Sequence, residues 1–473
     1  MRNILNKRER QMLDLIEIIQ DNHIYTLSFL EKKLGINTRT LNSLIEDCNK
    51  VISPVRIHRK EDGEIALSIE KNCSIAYCYK KMLEQSIEFN MLESLFFDDS
   101  LSLNSLADKL YISESTLRRK IQIMNKELLK EGFYIKLIPL SIAGDEKKIC
   151  NFIIHYIFEK YGEAVNFFQK KQTYFAEQLL SITTKLKNIT LSYSDKQKVL
   201  IWVLTILNRS RLKKINEQTE TQYTEENFFK YSKTILKVNL KNTRFIQVLN
   251  FIFQRKLGLS HIQITKEAKT DPKVKSQLSA VEALILETSH IFNIPLPPNK
   301  DSLIEKLYFI TEIQFGKPYV LYNQYYIFYK EISKYLSTKF EILYKSISRI
   351  FVKHNIDLQE YQIFSYIYNL VINWEGFFEQ ITKSQEKVPI AIFMSLDPEY
   401  AELVKQYIDY KEPHKFNFKV LTKFPDENNE YILTITDRID LKDEYNVLSI
   451  AGMPSEKELR WLNKYYEKYV SNN

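Results

Sequence analysis

Cysteine is scarce in this chain and confined to one end. Its four cysteines, Cys48, Cys73, Cys78 and Cys150, all lie in the first third of the 473 residues. No disulfide framework can therefore hold the remainder together, and a reducing, cytoplasmic setting is expected. Cys73 and Cys78 flank four residues rather than the short paired spacing of a zinc site, so the thiols read as buried core groups. Glycine and proline number only 9 and 12, which excludes a collagenous or low-complexity chain. No apolar run approaches the roughly 20 residues that cross a bilayer. The strongest, Val199 to Leu207, is far shorter, and the opening MRNILNKRER has no apolar core of a signal peptide. The expectation is a soluble, unexported protein with no membrane partner.

Catalytic signatures are missing too. There is no Gly-rich phosphate loop, no GxSxG elbow and no dinucleotide fingerprint. The seven histidines, His23, His58, His155, His261, His290, His354 and His414, are scattered without HExxH-like spacing. An enzyme gains no positive support, and neither a cofactor nor a metal is expected. The formal charge of +8 is mild for this length, and acids and bases nearly balance within residues 1–150. A nucleic-acid reader would have to work through local clusters of Lys and Arg rather than bulk charge.

What is present is globular: 44% apolar and 27% charged residues, with a length that implies about three to five domains. Residues 1–70 read as three helices and a hairpin. Arg10 to Ile19 carries apolar residues at helical spacing, Thr26 to Leu34 makes a second helix ended by Gly35, and Asn37 or Thr38 caps a third through Thr40, Leu41, Leu44 and Cys48. Val55 to Ile69 then alternates around Asp62-Gly63, a hairpin signal. Residues 84–148 repeat this order: Phe89 to Phe97, a helix from Ser102 containing the small Ala107, a long helix from Glu114 to about Lys130 capped by Ser113, and an alternating Phe133 to Ala143. Both copies fit a winged helix-turn-helix. From about 150 to 385 the pattern is helical, broken at 213–227 and 267–276, which suggests two helical domains. The tail carries short apolar runs at 388–394, 431–436 and 446–450 with helical segments near 398–409 and 455–469, a small α/β domain.

The recognition helix of such a unit reads base edges from its N-terminal half. In the second copy that places Ser115, Thr116, Arg118, Arg119, Lys120 and Gln122 on duplex DNA: the arginines on guanine or phosphate, Gln122 on adenine, Ser115 and Thr116 on phosphate. Leu117, Ile121 and Met124 should point inward. The first copy offers Thr38, Arg39, Thr40 and Asn42 on its third helix and Arg56, Arg59 and Lys60 on its wing, opposed by Glu46 and Asp47. The rival reading of each cluster is a solvated charged face, or a winged unit kept for packing.

The order of parts, with Ile112-Ser-Glu-Ser-Thr-Leu-Arg-Arg-Lys-Ile121 followed by Ile142-Ala-Gly-Asp-Glu146, resembles the Mga/AtxA-like virulence regulators of Gram-positive bacteria. The resemblance covers essentially the whole chain. It implies a mainly α multidomain protein: two winged helix-turn-helix domains (1–70 and 84–148), two helical PTS regulation domains (151–275 and 276–386) and a small C-terminal α/β domain similar to the EIIB component of sugar phosphotransferase systems (387–473). It also implies a DNA-binding transcription activator that self-associates, with a dimer expected, and that answers to phosphotransferase proteins through histidines. Here Lys196 and Asn369 stand where those histidines would be, and neither residue can carry a phosphohistidine. Control at those positions is expected to be lost, with His155, His261, His290 and His354 as the remaining acceptors. After Ile392-Phe-Met394 comes Ser395-Leu-Asp-Pro-Glu399, without the cysteine that EIIB domains often use, so an interaction role is expected of the tail. Two other readings stay open: an RNA-binding antiterminator, and an interaction protein that touches no DNA.

Overall fold

The computed structural model describes all residues except 21–24, 61–62, 188–192, 213–259, 314–315, 335, 385–386, 396, 414, 425–432, 439–445 and 473. Its described residues form two compact units, one of Met1–Glu282 with Asp301–Leu370, the other of Ala283–Lys300 with Val371–Asn473.

In the larger unit, α1 (Lys7–Ile19) starts at Asn6, whose side chain accepts the Glu9 N–H while Glu9 reaches back to the Asn6 N–H. Its stripe of Met12, Leu13, Leu15, Ile16 and Ile19 is buried. Thr26 caps α2 (Leu27–Leu34), which Gly35 ends in the left-handed conformation at φ 65°. Asn37 caps α3 (Thr38–Ile52), and β1 (Arg56–Arg59) pairs antiparallel with β2 (Ile65–Ser68). The second copy repeats the plan in α5 (Ile87–Phe96), α6 (Leu103–Lys109), α7 (Glu114–Leu128), β3 (Phe133–Leu137) and β4 (Leu140–Gly144). Ser113 caps α7 as its position suggested, and Ser102 caps α6. Gly144 is a glycine of necessity: at φ 137° an added Cβ would lie 2.5 Å from the Gly132 carbonyl oxygen and the Phe133 Cα.

A helix that the sequence reading left out, α4 (Ile75–Gln85), fills the gap between the two copies. It buries Cys78, Tyr79, Met82 and Leu83. Tyr77 donates from its hydroxyl to the Ser53 carbonyl (3.0 Å) and Tyr79 to Glu17 (2.6 Å), both in the first copy. Behind the second copy stand α8 (Glu146–Tyr161), α9 (Lys170–Lys187) and α10 (Tyr193–Leu212). One apolar core runs from Ile4 through both copies to Ile206 and takes in Val320 and Leu321. Arg209, 1% exposed, ties α10 to the second copy by donating to Glu146 (2.6 and 3.1 Å) and to the Phe96 carbonyl (2.8 Å).

The remaining helices are α11 (His261–Glu267), α12 (Pro272–Phe292), α13 (Lys300–Ile313), α14 (Gln324–Ser333), α15 (Ser337–Lys353), α16 (Glu360–Asn373) and α17 (Phe377–Ser384). The boundary expected at 275/276 falls inside α12. The break read at 267–276 holds the end of α11 and the start of α12, where the Asp271 carboxylate accepts the N–H groups of Lys273 (2.9 Å) and Val274 (3.3 Å) and Pro272 opens the first turn. The break at 213–227 lies outside the described residues.

In the smaller unit, β5 (Val388–Phe393), β6 (Phe416–Val420), β7 (Leu433–Thr436) and β8 (Val447–Ser449) form a parallel sheet in the order β6-β5-β7-β8. With α18 (Pro398–Lys411) and α19 (Glu456–Asn472) the strands share a core of Val388, Ile390, Ile392, Val404, Ile408, Leu433, Ile435 and Leu462. The sequence reading located three of the four strands. It passed over β6, although Phe416, Phe418 and Val420 alternate along it.

Candidate nucleic-acid interface

The two third helices can be laid over one another from their caps. Four, eleven and fifteen residues past Asn37 come Leu41, Cys48 and Ile52, and past Ser113 come Leu117, Met124 and Leu128, all buried. Twelve residues past each cap stands an asparagine. Asn49 accepts the Ile57 N–H (2.7 Å) and donates to the Ile57 carbonyl (2.9 Å). Asn125 does the same to Ile135, at 2.8 and 2.9 Å. Each bracket fixes the wing strand against its helix. Sequence reasoning missed both residues, although the shared offset was a usable signal.

On α7 the outward face holds Ser115, Arg118, Arg119 and Gln122, all exposed, with Thr116 half-buried and Lys126 exposed beyond. Leu117, Ile121 and Met124 point into the core at 1% exposure or less. Ser113 is shared by Ser115 (3.0 Å) and Thr116 (2.8 Å). Arg118 donates to Glu114 one turn earlier, at 2.6 to 2.7 Å. Arg119 has no hydrogen bond or ion pair among the described residues. Lys120, expected on DNA, turns inward instead and pairs with Glu88 at 2.5 Å. Glu88 is 4% exposed and takes a second bond from Ser86 (3.1 Å). The physical reason is the position: seven residues past its cap the first copy buries Leu44, so a lysine there must bring its own counter-ion.

The first copy is less cationic on the matching face. Arg39 and Asn42 are exposed, Thr40 is half-buried, and Thr38 donates to Glu31. Of the two opposing acids, Asp47 is already engaged by Arg8 (2.6 and 3.0 Å), whose guanidinium also reaches Ser43, and this holds the Asp47 carboxyl below its ordinary range. Glu46 stays exposed. On the wing, Arg56 and Arg59 are exposed, while Lys60 pairs with Glu64 at 2.8 Å.

The two winged copies are joined by polar contacts as well as by α4. Asn3, just ahead of α1, donates to Glu127 on α7 (3.2 Å). Glu9 of α1 lies near Glu88, Ser86 and Lys120; burial, reinforced by the Glu88 charge, pushes its carboxyl up to about 7. A second junction reaches the second copy and the adjoining α8 from far along the chain. Lys317 pairs with Glu131 (2.6 Å), its carbonyl accepts from Asn151 (3.0 Å), and the Glu159 carboxylate of α8 accepts the backbone N–H groups of Val320, Leu321 (2.9 Å) and Tyr322 (3.1 Å). Burial pushes Glu159 up to about 7, opposed by those three donors.

The other expected positions are dispersed. Lys196 is exposed on the first turn of α10, and Asn369 is half-buried on α16, where it donates to the Ser365 carbonyl (2.8 Å). Desolvation, aided by Lys198, pushes the His155 imidazole down to about 3. His261 Nδ1 lies 2.9 Å from Asp301, and His58 and His290 are exposed. The His354 carbonyl accepts from Ser276 (2.5 Å). His23 and His414 fall outside the described residues. Burial pushes the Cys48 and Cys78 thiols up to about 12. In the α/β unit, Ser395 after β5 donates from both its N–H and hydroxyl to Asp437 (2.8 Å each). No helix among the described residues is long and apolar enough to cross a membrane.

Comparison with known proteins bears on this arrangement directly. The model of the Mga helix-turn-helix domain matches residues 71–157, which takes in α4, the whole second copy and most of α8. A trans-acting regulator of Streptococcus pneumoniae serotype 4 is 22% identical over 451 residues, 89% of each chain. The capsule synthesis positive regulator AcpA of Bacillus anthracis is 27% identical over 248 residues, 50% of each chain. The anthrax toxin expression trans-acting positive regulator of the same organism is 25% identical over 152 residues, 32% of each.

Proposed function

Since the chain belongs to the Mga/AtxA-like family of trans-acting regulators, we propose that it activates transcription of virulence or metabolic genes by binding promoter duplex through both winged units. The second unit is the principal reader. The observation that carries this is the α7 face: Arg119 without a partner among the described residues, Arg118 held only by an exposed i,i+4 pair, and Ser115 and Gln122 beside them, on a helix fixed by its cap, its buried stripe and the Asn125 bracket. An exposed pair of that kind is worth about 0.3–0.5 kcal/mol, little against a phosphate contact, so Glu114 does not withhold Arg118 from DNA. The positive regulator AcpA among its relatives supports the activating sense.

The other parts follow as proposals. The helical stretch at 151–386 acts as two PTS regulation domains without phosphohistidine control at Lys196 and Asn369, and the 387–473 unit is an EIIB-like module that supports a cytoplasmic homodimer rather than phosphoryl transfer. The test of DNA reading is a salt titration of binding to the upstream duplex of its own gene, run beside the Arg118→Ala/Arg119→Ala double variant. For every phosphate that the variant no longer neutralises, the log-log slope should flatten by about 0.9. Unchanged binding by the double variant would remove α7 from the interface and leave Arg39 and the Arg56 wing. Competition with structured RNA separates this reading from an antiterminator.

A further inference from the structure

We propose that the tip of the second wing, Ile138-Pro139, is an apolar wedge that enters the minor groove beside α7 and opens a base step, so that the protein selects targets by how readily they kink. The inference rests on the DNA-reading role of α7 and assigns the neighbouring wing a distinct task.

The wing's own pattern isolates the tip. Along β3, Phe133 and Ile135 are 1% exposed and face the core, while Tyr134, Lys136 and then Ile138 take the outward register. Leu137 and Leu140 are the last paired residues, so Ile138 and Pro139 are the whole turn. Across it Leu140 and Ile142 are buried at 4% and 0%, yet Ile138 is 82% exposed with Pro139 exposed beside it. A single exposed apolar side chain is ordinary on a protein surface. Pro139 is an ordinary turn residue, but Ile138, 82% exposed in a two-residue hairpin turn where Gly, Pro, Asn, Asp or Ser normally sit, calls for an occupant. The first wing differs at this point, since Arg59 and Lys60 lead into its turn.

Asn125 locks Ile135 of the wing to α7, the helix that carries Arg118 and Arg119. Ile138 is three residues on from that lock, about 10 Å of strand at most, so the tip belongs to the same anchored unit as the reading helix. Exposed Lys136, one outward position behind the tip, can hold a phosphate. Ile and Pro are among the side chains that wedge between base pairs from the minor groove, and pyrimidine–purine steps such as TpA yield most easily.

The test uses the full chain and the upstream duplex of its gene with 2-aminopurine substituted in turn at each TpA step. Wild type should raise the fluorescence at one step and bend the duplex in an end-labelled energy-transfer assay. Ile138→Ala and Ile138→Lys should abolish the fluorescence rise, reduce the bend and weaken binding by about tenfold. Ile138→Ala should leave the salt slope unchanged. At 82% exposure neither substitution should disturb folding, which circular dichroism checks. Binding with equal bend and fluorescence in wild type and both variants would overturn the wedge while leaving α7 as reader. Variants that bind and bend normally but sediment as a smaller species would give the tip to contact between copies and overturn it likewise. Wild type that binds no duplex would overturn the wedge and the DNA-reading role together.

Discussion

Arg119 and Lys120 are neighbours in the chain, but the 100° step of the helix sends one guanidinium into solvent and the other residue's ammonium to Glu88. The sequence offered Ser115-Thr-Leu-Arg-Arg-Lys120 as one cationic cluster; charge type was legible, whereas the counter-ion, 32 residues away, was not. The consequence is measurable. Lys120→Met would leave Glu88 buried without its cation and should lower unfolding stability by about 3 kcal/mol in urea titration, with the salt slope of DNA binding unchanged. A flattened slope at unaltered stability would return Lys120 to the DNA surface. Asn125→Ala should also act through the fold, since it strands the N–H and carbonyl of Ile135. A loss of about 2 kcal/mol and a weaker contribution of the wing to binding are expected, and Asn49→Ala provides the matched comparison in the first copy.

At the scale of elements, the caps of the two third helices were readable. Asn37 and Ser113 accept the N–H three residues on, because a short polar side chain before an apolar stripe has few other roles, and Thr26 and Ser102, read as helix starts, do the same. Two elements were passed over for the same reason: α4 and β6 are short, and each carries one apolar face between polar neighbours. The segment from Lys317 to Tyr322 was out of reach altogether, since its partners on α8 lie more than 160 residues earlier. That contact predicts slow hydrogen exchange at the amides of Val320, Leu321 and Tyr322. Glu159→Ala should speed their exchange selectively, and equal protection in the variant would show that packing of Val320 and Leu321, not the carboxylate, holds the segment.

For the molecule as a whole, Glu9 and Glu159 make stability depend on pH near neutrality. Both carboxyls are raised from 4.5 to about 7 in the folded chain. Between those values the folded state retains protons that the unfolded state has released, so stability should fall as pH rises from about 4.5 to about 7 and change little above. Melting temperatures across that window, compared with Glu9→Gln, check it: the variant keeps an acceptor for the Asn6 N–H and should show a shallower decline. A parallel decline in both would place the effect on Glu159 and other groups. The mainly helical, multidomain character was legible because it rests on periodicity, and periodicity is local. How the pieces join was not, because the joints are single ion pairs and brackets scattered along the chain. One joint has a kinetic meaning. With α4, Asn3 and the continuous core fixing the two winged copies within one body, the proposed reading makes the chain a bivalent ligand of DNA. Once one recognition helix has landed, the other searches at the high local concentration of a tether with almost no slack. Release then requires both to let go at once, and residence time, more than the strength of either grip, becomes the quantity that the linking residues control.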